Sequence, residues 1–435
     1  MVLVKYNKIL WMLILFAIFQ KMFFLLQFSE EGLLEKDAGL YYNISTNLLI
    51  RGEFAADLDQ ENFGNPIKDN IYAIKSEKTA QVPPGYPIFL SILRKTFGNK
   101  FIYILFCQII IEFIAVIFFL YTLKRNKINN AVIIIYLLLY SIYSPFTKYS
   151  LFILSDSLFT SILLIYISYL LRVKRVQPFR SVLLGILAGI VSLIRPTPLP
   201  VFILLPIIYY LLKFRAKTIK WFGNNYLLYI FCLFLTLTPW IIRNYQLYNK
   251  FIFSSTLGGL AFEFTTAERI GGMTGNFLPK VRETEKLKEY FNNHNINVKK
   301  ESLNEAELDY YFRRIGIEQL KQNPKNYLAN ISINFFRFWF NLPFKGASIG
   351  SYMLAAFNFI LIGIIVFNIR ILVKNKFTLI FFIPIIYFSI VHTFIGNTSA
   401  RYNIPIMPLV LFLAAYSLDL ILLKYREQFM DRKNI

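Results

Sequence analysis

Long apolar runs, separated by short charged breaks, dominate this chain. They lie at 9–28, 101–123, 131–149, 157–171, 181–194, 198–212, 225–242, 352–369, 377–394 and 402–423. Each is of spanning or near-spanning length, since about 20 apolar residues cross a bilayer as an upright helix. The pattern predicts an all-α fold, a polytopic membrane helical bundle of about ten transmembrane helices. Two polar intervals interrupt it, 29–87 and 243–351. The short apolar stretch Pro87–Phe97 reads as a juxtamembrane helix. Tyr327–Phe340 is aromatic, with Asn330, Asn334 and Arg337 at helical spacing, and reads as an interfacial helix. Glu301–Gln322 reads as an amphipathic helix with Ser302 and Glu305 as a capping box and Asn323-Pro324 as the stop. The expected organisation is an N-terminal transmembrane module over 1–242 with its polar loop 29–87, an insertion over 243–351, and C-terminal transmembrane helices with a tail over 352–435. No repeat of fixed period is visible.

The charges orient the bundle. The breaks after the second, fourth, sixth and eighth runs carry fourteen basic residues and no acidic one, among them Lys124, Arg125, Arg172, Lys213 and Arg370. Lys and Arg collect in cytoplasmic loops, so these breaks and both termini are expected in the cytoplasm. The same rule accounts for the formal charge of +22 in a chain that is 56% hydrophobic, and it removes the need for a nucleic-acid partner. Ser29 to Pro87 is the opposite, with ten acidic residues against five basic ones. An acidic loop in a basic protein is expected on the non-cytoplasmic face, where the chemistry would sit. Lys5 and Lys8 precede the first run; with no small-residue cleavage site after it, the run is expected to remain as an uncleaved helix. Lys21, inside it, either snorkels or faces a polar cavity. Cys107 and Cys232 lie in apolar runs and imply packing, not a disulfide framework.

Several polar residues fall on the expected outer face. Asp37 lies just past the first run; a helix beginning there would carry Tyr41 and Ser45 on the same face, with Tyr42 beside them. A carboxylate near apolar neighbours at a membrane surface can act as a general base, and equally can cap a helix. Asp156 sits where two apolar runs meet, as a functional acid at membrane depth or as the N-cap of the fourth helix. Lys148, Arg195, Arg243 and Arg401 are outer-face cations, suited to a lipid-linked phosphate or to anionic headgroups. His392 and Arg401-Tyr402 bracket one outer turn, and Glu112 lies inside the second span. Pro83-Pro84-Gly85-Tyr86-Pro87 is a rigid turn that aims the acidic loop back over the membrane. No phosphate loop, dinucleotide fingerprint or metal-ligand spacing occurs.

The ordered set of short motifs resembles the GT-C integral-membrane glycosyltransferases, in particular bacterial relatives of protein O-mannosyltransferases and of the aminoarabinose transferases that modify lipid A. It comprises Asp37 with Tyr41, Arg51-Gly52-Glu53-Phe54, Pro83–Pro87, Ser155–Phe159, Ile194–Thr197, Thr238–Asn244, and Ala400-Arg401-Tyr402 followed by Pro405 and Pro408. The resemblance implies an inverting transferase that moves a sugar from a polyprenyl-phosphate donor to a lipid, glycan or protein acceptor. It places the site on the outer face of a bacterial cytoplasmic membrane, with Asp37 as the base. Tyr41, Tyr42, Lys148, Asp156, Arg195, Arg243, His392, Arg401 and Tyr402 are then the expected substrate-binding residues. Ala38 follows Asp37 where many protein mannosyltransferases carry Asp-Glu, and 243–351 is short beside members with a large periplasmic domain. No cofactor is implied; a divalent metal, used by some relatives, could be shared by Asp37 and Asp156, but the sequence does not require one. The rival function is a flippase or transporter of a lipid-linked saccharide; such proteins often show two related halves, and none is visible here. A non-catalytic envelope-assembly partner is a third.

Overall fold

The computed structural model describes residues 2–27, 37–56, 77–173, 177–213, 219–267, 280–297, 303–340, 348–395 and 400–433. Residues 29–36 and 57–76 of the polar loop, including Glu30, Glu31 and Asp57 to Asp69, lie outside the described residues. The chain begins with α1 (Val2–Leu26) and α2 (Asp37–Arg51), then a two-residue antiparallel ribbon, β1 (Ala55–Ala56) and β2 (Glu77–Lys78). α3 (Gly85–Phe97), α4 (Phe101–Arg125), α5 (Asn130–Ile142), α6 (Ser144–Ser150), α7 (Ser155–Leu171), α8 (Pro178–Ile194), α9 (Leu199–Lys213) and α10 (Ile219–Tyr248) follow. The insertion contributes α11 (Gly258–Thr266), α12 (Lys280–Asn293), α13 (Glu305–Gln322) and α14 (Pro324–Phe340). α15 (Ile349–Phe367), α16 (Ile369–Lys374), α17 (Lys376–Phe394), a 3₁₀ turn at Ala400–Ile406 and α18 (Met407–Lys433) close the chain.

All ten apolar runs form helices over their described residues. Among the described residues six helices are long and apolar enough to cross a membrane, and α5 with α6 makes a seventh if that bent pair is one span. α7, α8 and α9 are apolar but shorter, at 15–17 residues. The run at 131–149 is not the continuous helix expected. It bends by 58° between α5 and α6, because Pro145, at the start of α6, has no N–H for the Ser141 carbonyl and its ring would clash there, so the helix breaks at Tyr143.

Apolar side chains point both ways, as lipid solvent permits. Trp11, Phe16 and Phe19 on α1, and Met353 and Phe359 on α15, are exposed. Inside, Phe119 meets Tyr136, Phe381 and Phe412 edge-to-face and Phe381 tilts against Phe412, joining α4, α5, α17 and α18, with ring centroids 4.7 to 6.2 Å apart. α8 crosses α10 at small residues: a Cβ at Gly185 would sit 2.4 Å from the Tyr229 carbonyl oxygen, and one at Gly189 would sit 2.5 Å from Thr236 Cβ. That four-residue spacing of small residues lets membrane helices approach closely, maximising dispersion contacts.

Two local expectations change. The cap of α13 is Asn304, whose side chain accepts from Ala306 and Glu307 N–H while Glu307 returns to the Asn304 N–H; Ser302 lies outside the described residues. Glu305 is thereby released, and its Oε2 accepts from Ala80 N–H at 2.7 Å and Tyr248 hydroxyl at 3.1 Å. Lys21 does not snorkel. It is buried, 2% exposed, with Nζ 2.5 Å from Glu112 Oε1, because a cation kept from water at this depth needs an anion and full hydrogen bonding. On α14 the stripe Asn330, Asn334, Arg337 is buried, with Asn330 donating to Thr265 and Ala267 carbonyls and Asn334 to that of Thr393.

Candidate functional site

Asp37 is the first residue of α2, where a carboxylate favours the positive helix end. The pose of α2 is set by α3. Arg94, buried on α3, donates to Ser45 Oγ at 2.6 Å, Thr46 Oγ1 at 2.7 Å and the Tyr42 carbonyl at 3.3 Å. Its guanidinium also lies 3.9 Å from the Tyr42 ring centroid. α3 is set in turn by α8: Gly85 approaches Leu193 so closely that a Cβ would sit 2.7 Å from its carbonyl oxygen. The glycine in the Pro-rich turn is therefore needed for helix packing.

From Asp37 a chain of charges runs into the bundle. Arg401 donates through Nη1 to Asp37 Oδ2 at 2.7 Å and through Nε to Asp156 Oδ2 at 2.7 Å. Arg195 donates through Nη2 to Asp156 Oδ1 at 2.6 Å and through Nε to Ser155 Oγ at 3.1 Å. Asp156 is completely buried, with both oxygens taken by arginines. The Asp37 side chain is 53% exposed, so Arg401 orients it without covering it. The two aspartates thus differ in kind: one links two guanidiniums, the other is open to a reactant. Asp156 lies in the first turn of α7 and is not its cap, which is Leu154. The donor set does not fit a metal shared by Asp37 and Asp156, because the Arg401 guanidinium bridges the two carboxylates.

Tyrosines wall this cluster. The Tyr41 hydroxyl is 3.5 Å from Ser155 Oγ, and its ring meets Tyr86 edge-on at 5.0 Å. Burial, helped by the Asp37 charge, pushes the Tyr41 hydroxyl above its ordinary value, so it stays protonated. Burial raises Tyr86 further, and its hydroxyl donates to Gln108 Oε1 at 2.7 Å. Tyr402 stacks on His392 at 4.9 Å, and His392 on Phe338 at 5.8 Å; the Arg195 guanidinium is 6.0 Å from the Tyr402 ring.

The sequence candidates therefore divide. Asp37, Asp156, Arg195 and Arg401 join through direct bonds, with Tyr41, Tyr402 and His392 packed around them. Tyr42 turns to Arg94 on another face of α2. Lys148 is exposed, its ammonium 6.0 Å from the Tyr149 ring. Arg243 belongs to a second group: it donates to Thr79 and Phe54 carbonyls, both at 2.7 Å, and lies 4.8 Å from the Trp240 ring. There it lines a cavity of about 550 Å³ with Lys78, Phe54, Trp240 and Ile88. A second cavity, about 640 Å³, opens on the Leu237 side of α10 and is lined by Lys250, Tyr310 and Arg313. Ser155, Tyr86 and Gln108 were not among the sequence candidates; a glutamine within the apolar run 101–123 was the available signal for the last.

The dolichyl-phosphate-mannose-protein mannosyltransferase family matches residues 81–242, which contain Asp156 and Arg195. No curated protein matches the chain. Among solved structures, ArnT from Cupriavidus metallidurans in the apo state is similar, at 13% identity and a TM-score of 0.41, over 96% of this chain and 78% of that one. The same protein bound to undecaprenyl phosphate is similar at 12% identity and 0.41, over 95% and 77%. The resemblance to membrane glycosyltransferases read from the motifs thus recurs in the family match.

Proposed function

We propose that this chain is an inverting membrane glycosyltransferase that moves a sugar from a polyprenyl-phosphate donor to an acceptor hydroxyl, with its site on the outer face of a bacterial cytoplasmic membrane. The observation that carries the proposal is the half-exposed Asp37 carboxylate, held on one oxygen by Arg401, which is itself fixed by buried Asp156. In the reaction, an acceptor oxygen attacks the anomeric carbon as its proton passes to Asp37. The bond from that carbon to the phosphate oxygen breaks, and the polyprenyl phosphate leaves with the electron pair. The Arg401 guanidinium, bonded to one Asp37 oxygen, aims the carboxylate, a contribution of position.

The leaving phosphate needs cations, and the cavity beside α10 is lined by Arg243 and by Lys78, which is 3.8 Å from Glu53, together with the apolar Ile88, Phe54 and Trp240. A phosphate headed by an isoprenoid tail matches that mixture. The cavity lined by Lys250 and Arg313 would then serve the acceptor. No step requires a cofactor.

The test uses purified protein in lipid nanodiscs with radiolabelled polyprenyl-phosphate hexoses and pentoses, and envelope extract as acceptor. Wild type is expected to release polyprenyl phosphate with time, and Asp37→Asn to lose that release. Passage of intact sugar-lipid across the bilayer, with no release from any donor, would replace the transferase with a flippase.

A further inference from the structure

We infer that the buried Lys21–Glu112 pair, together with Gln108 one turn earlier on α4, is a positioning device for the reaction: they fix the turn that presents Ser155 and Asp156, and through Asp156 and Arg401 they set Asp37. The inference rests on the functional reading above, which makes the Asp37–Arg401–Asp156 chain the reacting site.

The contacts form one continuous strut. Lys21 on α1 donates to Glu112 Oε1 on α4 at 2.5 Å, to Ser150 Oγ at 2.9 Å and to the Phe146 carbonyl at 3.2 Å. Ser150 donates to Glu112 Oε2 at 2.5 Å, and the Tyr140 hydroxyl donates to Oε1. One turn of α4 earlier, Gln108 Nε2 donates to the carbonyls of Ser150 at 3.2 Å and Phe152 at 3.1 Å, and Gln108 Oε1 accepts from Tyr86. Every one of these bonds either grips residues 146–152 or ties down a group that does. That segment is the short α6 and the turn leading into α7. α6 bends away from α5 by 58°, so helical continuity does not hold it, and the turn after Ser150 has few backbone bonds of its own. Side chains from α1, α3 and α4 do that work instead.

The pair is a costly choice for stability alone. Two charges taken from water recover little net energy over apolar side chains of like volume, whereas a single correct geometry is what such a pair enforces. Its location, directly behind the turn that carries Asp156, indicates the geometry in question. A shift of about 1 Å in a reacting group can cost 10²-fold in rate.

The experiment compares wild type, Lys21→Met/Glu112→Gln, Gln108→Leu and Asp37→Asn in nanodiscs, reading polyprenyl phosphate release and thermal unfolding. The double variant removes both charges together and leaves no unpaired ion, so it is expected to purify folded. Its kcat should fall about 10- to 100-fold while the KM for the donor stays within about twofold. Gln108→Leu, which touches no charge, should do the same, and it decides the matter if the double variant does not purify. In an Asp156→Asn background, Lys21→Met/Glu112→Gln should add little further loss, because the strut acts through Asp156. Wild-type kcat in folded Lys21→Met/Glu112→Gln or Gln108→Leu would overturn the inference, as would fully additive losses with Asp156→Asn. Full turnover by Asp37→Asn would instead sink the functional assignment, and this inference with it.

Discussion

Asp37 and Asp156 are the same residue type, yet their surroundings differ, and the proposed reaction gives them different work. Asp37 keeps an exposed side chain and one guanidinium; Asp156 is buried between two. Asp37→Asn should therefore lower transfer by about 10²–10⁴-fold, the usual range for a lost general base, while leaving the melting temperature nearly unchanged. Asp156→Asn removes the counter-charge of two largely buried arginines. It should cost about 3–5 kcal/mol of stability, as breaking buried pairs does, and should lower activity as well, read by thermal unfolding alongside the release assay. A third expectation concerns pH. Burial and the Asp37 charge hold the Tyr41 hydroxyl above its ordinary value, so it stays protonated through neutral and mildly alkaline pH. Tyr41→Phe should reduce the rate without moving the pH profile; a changed alkaline limb would refute that placement. The four charged partners were legible one by one, because isolated charges at the ends of apolar runs are costly and stand out. Their pairing was not, since Asp37 and Arg401 are 364 positions apart.

At the scale of elements, α3 shows how a loop motif becomes a structural requirement. Pro84 and Gly85 lead straight into the helix, and Gly85 meets Leu193 with no room for a side chain. Gly85→Val should cost about 1–3 kcal/mol through overpacking and, by tilting α3, loosen the Arg94 grip on α2. The check is a lower unfolding temperature together with reduced transfer. α13 offers a second case: Glu305, expected in a cap, instead clasps Ala80 N–H and the Tyr248 hydroxyl, while Arg243 holds the carbonyl of Thr79. One peptide unit is thus held at both ends by opposite charges. Glu305→Ala leaves the Ala80 amide without that acceptor, and hydrogen exchange over residues 77–82 should accelerate. Helix identities along the chain were readable from apolar periodicity. The bend before α6 and the shift of the α13 cap were harder, because each depends on one or two polar or proline residues whose alternatives score alike locally.

For the whole molecule, the basic breaks between helices predict an orientation that can be measured directly. Single cysteines at Lys127 and Lys374, introduced after replacing Cys107 and Cys232 with Ala, should react with a membrane-impermeant maleimide only in inside-out vesicles. One at Asn99 should react only in right-side-out vesicles; labelling of all three from one side would break the proposed topology. The sequence by itself determined that the chain is a multi-helix membrane bundle, since apolar surface on this scale needs lipid and the backbone in lipid must bond within itself. It also marked the charged residues at the ends of the apolar runs, because uncovered charge near a bilayer is expensive. Only the tertiary structure decided which charges meet. It sent Tyr42 to Arg94 and Arg243 to the Thr79 carbonyl, brought Arg401 between two aspartates, and buried Lys21 against Glu112. The physical reason is that hydropathy is a property of each segment alone, whereas an ion pair at depth exists only where helices distant in sequence cross at a distance that lets both partners be fully bonded.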